Sequence, residues 1–162
     1  ETDCTMSYLV LNAQEVLMFN NMYITMVRRI DDTIVMDFNF KADVDDSDYE
    51  LYIYYPCPLR ISLGNDIILG SFDIDCVIDE IDDDSWNIKD NNMYDINVRD
   101  RIMPVLPQKV TESKFSKSGD IDIVLENGMR ISIFVCSTSM EIWKLIDNTG
   151  GEPYVRKAFK VQ

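Results

Sequence analysis

Histidine is absent from this chain of 162 residues. Its absence removes the commonest general base and with it the Ser-His and Cys-His pairs that activate nucleophiles. The chain has only 6 glycines, and they form neither a dinucleotide-binding fingerprint nor a P-loop. No run of about 18 apolar residues occurs, the length a spanning helix would need. We therefore expect no catalytic residues, no cofactor and no membrane insertion.

Cysteine is also sparse, and no two cysteines form a Cys-x-x-Cys pair. This spacing is not typical of a disulfide framework, and it lacks the paired knuckles of a zinc site. We expect reduced thiols, a cytoplasmic protein and no bound metal. The four cysteines are Cys4, Cys57, Cys76 and Cys136.

The N-terminal residues leave one alternative for localisation open. The stretch 8–19 has no basic flank and no small-residue cleavage site, so it makes a poor signal peptide. The chain begins with Glu1 rather than Met. An exported or cell-surface protein whose leader has been removed is therefore the alternative. A strand over 5–11 and one or two helical turns over 13–19 are expected here.

Basic residues are scarce in the first half of the chain. Residues 1–90 hold 20 acidic against 5 basic side chains, whereas residues 91–162 hold 9 against 10, and the net charge is −14. Nucleic acids and anionic membranes are bound by neutralising phosphate with Lys and Arg, so neither is expected as a partner. The same argument favours a basic protein.

Alternating apolar and polar residues predict β-strands through most of the chain. The strongest signal is Asn127-Gly128 between two such segments, which is typical of a β-hairpin. Together with a third segment that contains Trp143, expected in the core, it predicts a three-stranded meander from Asp120 to Asp147. A strand over 108–115 precedes it.

The first half predicts a similar set of strands. Asp31-Asp32 joins strands over 22–30 and 33–40. In the second of these, Asp37 and Asn39 are expected to face outward. Its apolar face is expected to hold Ile34, Met36, Phe38 and Phe40. Further strands are expected over 49–55, 59–63, 67–69 and 72–78. Prolines break the pattern at 56–58, which marks an edge or a turn.

One amphipathic helix is expected between the two sets of strands, over 91–103 with Asp90 as its N-cap. The predicted fold class is α+β and mostly β, in a single domain over 1–162. Its parts are a first β unit over 22–78, the helix over 90–103 and a second β unit over 108–147. The strand order of the two units matches, which suggests an internal duplication.

Two acidic loops interrupt the first half and are flanked by aromatic residues. They cover 41–50 and 80–89. A solvated loop is the ordinary interpretation of such charge runs, but aromatic side chains beside carboxylates also suit a binding surface for a basic protein. Trp86 is either a lid on the core or an exposed anchor. The candidate partner-binding residues are Asp43, Asp45, Asp46, Asp48, Glu50, Tyr52, Tyr54, Asp82, Asp83, Asp84 and Trp86.

Two alternatives to a binding protein remain open. The first loop invites comparison with an EF-hand, but counted from Asp43 the sixth and twelfth positions are Asp48 and Tyr54 rather than glycine and glutamate. A carboxylate-dependent metal-binding module or enzyme nevertheless remains an alternative. A structural β-domain that forms homodimers through an exposed edge strand is another.

The second unit resembles a group of small bacterial domains that are encoded near secreted polymorphic toxins and regarded as immunity proteins. Their pattern is an acidic strand, a hairpin turn, an aliphatic strand and a Glu-x-Trp-x-Leu segment. The first half is similar through 49–53 and Arg60-Ile61, although Pro58-Leu59 stands where an aromatic residue commonly precedes the arginine. The matching positions of the second unit are Asp122 to Glu126, Asn127-Gly128, Ile131 to Val135, and Glu141, Trp143 and Leu145.

This resemblance implies a non-enzymatic inhibitor that binds and neutralises a cognate toxin domain. The charge distribution implies that the toxin is basic. Electrostatic steering by the acidic loops, followed by docking of the tyrosines and Trp86, is the expected mechanism.

Overall fold

A computed structural model describes residues 19–150 and 154–160, without the side chains of 154–160. The strand expected over 5–11 therefore lies outside the described residues, and so do the helical turns expected over 13–19 apart from Phe19. The described residues form ten strands: β1 Tyr23–Ile30, β2 Thr33–Asn39, β3 Tyr49–Ile53, β4 Leu59–Leu63, β5 Asp66–Gly70, β6 Gln108–Phe115, β7 Ile121–Leu125, β8 Arg130–Ile133, β9 Glu141–Asp147 and β10 Tyr154–Lys160.

The strands form one antiparallel sheet in the order β10-β9-β3-β2-β1-β6-β7-β8-β4-β5. We call the five strands from β10 to β1 the first half-sheet and those from β6 to β5 the second half-sheet. The join is short, since β1 pairs with β6 only through Tyr23 and Ile24. The predicted α+β, mostly β class is confirmed.

The two half-sheets fold over each other and share one core. Phe19 stacks on Phe38 of β2 at 4.0 Å between ring centroids and also contacts Phe115 of β6. Phe115 in turn meets Trp143 of β9 edge to face at 6.0 Å. The indole N–H of Trp143 donates to the carbonyl of Gly119 at 2.8 Å. Trp143 is 2% exposed, so its predicted place in the core is confirmed.

The predicted hairpins are confirmed where the turn signal is strong. β1 pairs with β2 across Asp31-Asp32, β6 with β7, and β7 with β8. At the last turn only Gly128 has a positive φ, of 88°. Its N–H donates to the carbonyl of Leu125. The turn is therefore the three-residue form that ends in a left-handed glycine, rather than a two-residue Asn-Gly turn.

The expected meander from β7 to β9 is wrong at its last step, because β8 pairs with β4 and β9 pairs with β3. β3 and β4, although consecutive, also lie in different half-sheets. In each half of the chain three strands form a meander and the fourth crosses to the other half-sheet. This exchange satisfies the open edges of β3 and β8 with apolar strands, and no local pattern in the sequence specifies it. The matching strand order is compatible with a duplication, which stays a prediction.

Asp37 and Asn39 are buried, contrary to the expectation that they face solvent. Asp37 accepts two hydrogen bonds from Arg28 at 3.4 Å. The Asn39 amide donates to Thr25 and accepts from the backbone N–H of Asp48, both at 2.8 Å. Buried polar groups are tolerated when they are paired in this way. Phe40, expected on the apolar face, is exposed.

The expected strand over 72–78 is replaced by a 3₁₀ turn, Ser71–Asp75. The Asp73 carboxylate accepts from the backbone N–H of Gly70 at 2.9 Å and from the side chain of Asn97 at 3.1 Å. A side chain that bonds its own backbone offers the chain an alternative to a strand. Alternating isoleucines and aspartates are therefore insufficient to predict a strand here.

The expected helix is present but starts later and is irregular. The helix α1 covers Met93–Asn97, and a π-helical turn Val98–Ile102 and a 3₁₀ turn Met103–Val105 continue it. Its N-cap is Asn92, whose side chain accepts from the N–H of Asp95 at 2.8 Å, and not Asp90, which has a φ of 61°. No helix among the described residues is long and apolar enough to cross a membrane.

Candidate functional site

The second acidic loop is built around a buried serine. The Ser85 hydroxyl accepts from the backbone N–H groups of Ile81 and Asp82 at 2.8 and 2.9 Å. The Asp82 carboxylate accepts from the N–H of Asp84 at 2.9 Å. Because Ser85 is almost completely buried, these bonds hold three consecutive aspartates in one defined conformation.

Asn91 closes the loop from its other end. Its amide donates to the carbonyls of Asp79 and Ser85, both at 2.9 Å, and accepts from the N–H of Asp79 at 3.1 Å. The neighbouring Asn92 donates to the carbonyl of Trp86 at 2.7 Å. The charge run is thus a folded segment, because its polar backbone groups are satisfied by buried side chains.

An ion pair between Arg29 and Asp95 ties this segment to the sheet. The guanidinium of Arg29, on β1, contacts both carboxylate oxygens of Asp95, on α1, at 2.6 and 2.8 Å. Both side chains are only 11% exposed. Arg29 also donates to the Asn87 side chain at 2.7 Å and to the Asp31 carbonyl at 2.9 Å. One cation therefore joins β1, the β1–β2 turn, the second acidic loop and α1.

The pKa of the Asp95 carboxyl reflects these contacts. Burial alone would raise it, but hydrogen bonds from Arg29, the charge of Arg29 and hydrogen bonds from Asp90 and Asn92 hold the pKa below its usual range. The hydrogen bonds with Asp95 raise the pKa of the Arg29 guanidinium above its ordinary value, because their effect is larger than the opposing effect of burial. Both groups stay charged at neutral pH.

A hollow of about 390 Å³ opens beside the folded loop, and we call it the acidic hollow. Trp86 is half-buried and packs on the core, so it is a lid on the core, and it also lines this hollow. Ile81 stands at the hollow with 76% of its surface exposed. The residues that line the acidic hollow are Val77, Glu80, Ile81, Asp82, Asp83, Ser85 and Trp86.

The carboxylates of the acidic hollow have no cationic partner among the side chains that the structure describes. Within the described part of the chain, Glu80, Asp82 and Asp83 make no ion pair, whereas the acidic residues that do are Asp37, Glu50, Asp90, Asp95, Asp100, Glu112 and Asp122. All three side chains are exposed. The acidic hollow therefore combines an aromatic surface, an exposed isoleucine and unneutralised negative charge.

More carboxylates surround the acidic hollow at the same end of the sheet. The Asp31 carboxylate accepts from Asn87 at 3.2 Å. The Tyr55 hydroxyl donates to Asp75 at 3.0 Å, and the Tyr55 ring meets the exposed Phe72 edge to face. That hydrogen bond, burial and the charges of Asp75 and Asp32 raise the pKa of Tyr55. We call the β1–β2 turn, Asp75 and the segment 79–84 the acidic end.

The first acidic loop lies at the opposite end of the first half-sheet. It connects β2 to β3, whereas the acidic end lies at the β1–β2 turn, and the seven residues of β2 separate them by roughly 20–25 Å at about 3.3 Å per residue. Asp43, Asp45 and Asp46 are exposed there, and Asp48 accepts from the N–H of Phe40 at 2.9 Å. The candidate residues therefore form two separate surfaces.

The predicted tyrosines and Glu50 already hold cations of this chain. The ammonium of Lys144, on β9, lies 5.2 Å from the ring centroid of Tyr52 and 5.8 Å from that of Tyr54. Glu50 pairs with Arg28 at 2.9 Å. A basic partner would have to compete with these internal cations, which favours the acidic hollow over this face of the sheet.

A larger groove of about 560 Å³ runs between β1 and the helical segment. Val27, Tyr94, Val98 and Met103 supply its apolar surface, and Arg28, Arg29, Lys89 and Arg99 supply positive charge. Each of the three arginines is paired with a carboxylate. The groove thus differs in character from the acidic hollow, although Asp31 and Asn87 border both the groove and the acidic end.

The acidic side chains do not assemble into a metal site in the described part of the chain. No group of three or more Cys, Asp or Glu side chains there is arranged to hold an ion. Comparison of the chain with protein-family models, with curated proteins and with solved structures finds no match. The interpretation of the site therefore depends on its geometry and charge.

Sequence reasoning found the acidic residues and Trp86 but missed the residues that hold them in place. Ser85, Asn91 and Arg29 carry no motif of their own. Asn92 and Asp95 do have the spacing of a helix N-cap and its third residue, which is a signal for the start of α1. Recognising that signal would have separated the acidic loop from the helix at the correct position.

Replacing Ser85 with alanine is expected to loosen the second acidic loop. Two backbone N–H groups would lose their acceptor, and because these bonds are only part-buried the cost should lie at or below the low end of the roughly 1–3 kcal/mol for buried groups. Hydrogen exchange followed by mass spectrometry should show faster exchange at Ile81 and Asp82 with little change in β7 and β8. Ser118→Ala, at an exposed serine, is the control. Unchanged exchange at Ile81 and Asp82 would show that Ser85 does not hold the loop.

Proposed function

We propose that this protein is an acidic binding protein that recognises a basic protein through the acidic end, with an arginine or lysine of the partner entering the acidic hollow. The observation that carries this proposal is the combination of Trp86 with Glu80, Asp82 and Asp83, none of which is ion-paired within the described residues. A cation over an aromatic face and beside carboxylates gains both cation–π and Coulomb attraction.

The rigidity of the loop supports binding in a second way. Association costs free energy for each side chain and loop that must be ordered. The hydrogen bonds of Ser85 and Asn91 order the acidic loop before any partner arrives. Less free energy is then lost on binding than for a flexible acidic tail of the same charge.

Charge complementarity sets the expected kinetics. An acidic surface attracts a basic partner at long range and raises association rates by roughly 10- to 1000-fold. The exposed Ile81 and Phe72 add apolar contact area next to the charges. Binding should therefore be fast, and it should weaken as the salt concentration rises.

The finer proposal is that the partner is a toxin domain and that this chain is its immunity protein. The basis is the resemblance carried by the acidic strand, the hairpin, the aliphatic strand and the Glu-x-Trp-x-Leu segment. Proteins that bind nucleic acids neutralise phosphate with Lys and Arg, so a toxin with such a target would present a basic surface. An acidic surface with a rigid acidic hollow could occlude such a surface without any catalysis of its own.

Binding to a basic protein encoded next to this one is the direct test. We expect a complex whose association rate falls about tenfold or more in the triple variant Glu80→Gln, Asp82→Asn and Asp83→Asn, as expected for loss of steering charges. The amide introduced by Asp82→Asn would keep an oxygen to accept from the Asp84 N–H, so the loop should stay folded. Stopped-flow mixing at several salt concentrations measures the rate.

The matched control removes three charges from the other acidic loop, as Asp43→Asn, Asp45→Asn and Asp46→Asn. Both triple variants change the net charge equally, so only the position of the charges differs. A larger fall in association rate for the control variant would show that the interface lies at the opposite end of the half-sheet. Equal losses would mean that net charge alone steers the partner, and no binding to any neighbouring basic protein would contradict the proposed function.

A further inference from the structure

Two cysteines meet where the crossing segments of the fold pass each other. Cys57 lies between β3 and β4, and Cys136 lies between β8 and β9. Both connections carry a strand from one half-sheet to the other. The backbone holds them together, since the N–H of Phe134 donates to the carbonyl of Pro58 at 2.9 Å. This bond continues the pairing of β4 with β8 beyond Leu59 and Ile133.

Both cysteines border the same small cavity. It has a volume of about 20 Å³, close to the space occupied by one water molecule. Nine residues line this space, and Cys57 and Cys136 are two of them. The thiol of Cys57 is buried and donates to the carbonyl of Phe134 at 3.3 Å, two residues before Cys136. Cys136 itself is exposed.

The spacing of the two connections fits a cross-link. If the antiparallel pairing of Leu59 with Ile133 continued, Cys57 would lie opposite Val135, one position from Cys136. Neighbouring strands lie about 5 Å apart and successive residues about 3.3 Å apart, so the two Cα atoms would be roughly 6 Å apart, within the range of disulfides. A regular ladder would turn the two side chains to opposite faces, but neither residue lies within a strand, and both border the one cavity.

We propose that Cys57 and Cys136 are a disulfide-forming pair that locks the two crossing segments to each other when the protein meets a low-molecular-weight disulfide. The Cys136 thiolate attacks one sulfur of the small disulfide, the bond between its two sulfurs breaks, and one small thiol leaves. Cys57 then attacks the sulfur of Cys136, and the second small thiol leaves. Two electrons and two protons pass from the protein thiols to the small disulfide.

The environments of the two thiols set the order of these steps. Burial, with smaller effects of Cys136 and Asp120, raises the pKa of Cys57 to about 12. The thiolate is the reactive form, so Cys57 is a poor first nucleophile at neutral pH. The exposed Cys136 reacts first, and the second step is slow and accelerates as the pH rises. Once the disulfide has formed, the buried sulfur of Cys57 is shielded from reductants.

The cross-link would join residues that are 79 positions apart in the sequence. A disulfide across a loop of this length restricts the unfolded chain strongly and should raise the midpoint of thermal unfolding by roughly 5–15 °C. It would hold both exchanged strands in place. The inference does not depend on the proposed function.

The test uses the full chain with Cys4→Ser and Cys76→Ser, so that only one intramolecular pair remains. The reduced, folded protein is incubated with oxidised glutathione between pH 7 and 9, free thiols are alkylated, and peptides are mapped by mass spectrometry. We expect a Cys57–Cys136 peptide that forms faster at higher pH, and a higher unfolding midpoint that returns to its original value after reduction.

Further substituting Cys136→Ser should leave the protein folded and remove both the cross-linked peptide and the rise in midpoint. Stable glutathione on Cys136 with Cys57 still free would overturn the proposal. So would a cross-link that forms only in denaturant, since the native geometry would then not bring the two thiols together. The same protein without oxidant provides the baseline for both measurements.

Discussion

Replacing Arg29 with alanine is expected to lower the free energy of unfolding by about 3–5 kcal/mol, the cost of leaving one partner of a buried ion pair without its counter-charge. Arg29 and Asp95 are each 11% exposed, and two contacts of 2.6 and 2.8 Å join them. Arg29 also holds Asn87 and the carbonyl of Asp31. Loss of the guanidinium therefore removes the link between β1, the acidic loop and α1.

Denaturant unfolding measured at neutral pH gives the size of the effect. The matched control is Arg99→Ala, which breaks an ion pair with Asp100 that is about half exposed on both sides. Exposed pairs contribute little to stability, so this variant should unfold close to the wild type. Similar losses in the two variants would contradict a special role for Arg29.

The pH dependence of the unfolding free energy is an independent test of the Arg29–Asp95 ion pair. The folded-state pKa of Asp95 lies below its usual range, so the stabilisation is present above the unfolded pKa of about 3.9 and is lost as the pH falls through the lower folded value. The difference in unfolding free energy between the wild type and Asp95→Asn should be largest near neutral pH. It should shrink as the pH is lowered below about 4. A difference that grows on acidification would contradict the assignment.

Replacing Trp143 with alanine is expected to cost about 3–5 kcal/mol of unfolding free energy through the lost burial and the cavity left behind. Trp143 contacts Phe115 of the other half-sheet, and its indole N–H satisfies the carbonyl of Gly119. The alanine variant leaves that carbonyl unpaired and separates the two half-sheets at their contact. Trp143→Phe should lose less unfolding free energy than Trp143→Ala, because an aromatic ring remains in the core.

Comparing alanine variants of Trp86 and Trp143 distinguishes a residue of the proposed interface from a residue of the core. Trp86 is half-buried, so Trp86→Ala should cost less unfolding free energy than Trp143→Ala and should weaken partner binding more. Calorimetric unfolding gives the first ranking, and the stopped-flow assay with the basic partner gives the second. The reverse ranking in unfolding would place Trp86 in the scaffold and remove it from the proposed interface.

Local features of the sequence were sufficient for the individual strands. The turns at Asp31-Asp32 and Asn127-Gly128 lie between segments of alternating polarity, and the strands on either side of each turn pair as predicted, although the second turn has three residues. Trp143 is buried as its apolar neighbours indicate. These predictions succeed because strand period and turn chemistry act over only a few residues.

Pairings between distant segments were not predictable in the same way. The exchange of β4 and β9 between the half-sheets depends on which open edge each strand meets after folding. Asp37 could be buried only because Arg28 pairs with it across the β1–β2 hairpin. The 3₁₀ turn at Ser71–Asp75 depends on Asp73, whose carboxylate reaches both Gly70 and the distant Asn97.

The candidate site was predicted in composition but not in arrangement. Both acidic loops and Trp86 were identified from charge runs and aromatic residues. The two loops lie at opposite ends of β2, so they cannot form one continuous surface. The tyrosines predicted to meet a partner instead hold Lys144 of the same chain.

The sequence alone determined the β-rich character of this protein, its hairpins and the excess of negative charge in its first half, because these follow from composition and from the spacing of neighbouring residues. Only the tertiary structure decided that the acidic run 79–84 is a rigid loop beside Trp86. That outcome depends on Ser85, Asn91 and Arg29 each finding a partner that satisfies its buried polar atoms. Such pairing is a property of the folded chain, since the energy of a buried hydrogen bond or ion pair depends on what surrounds it.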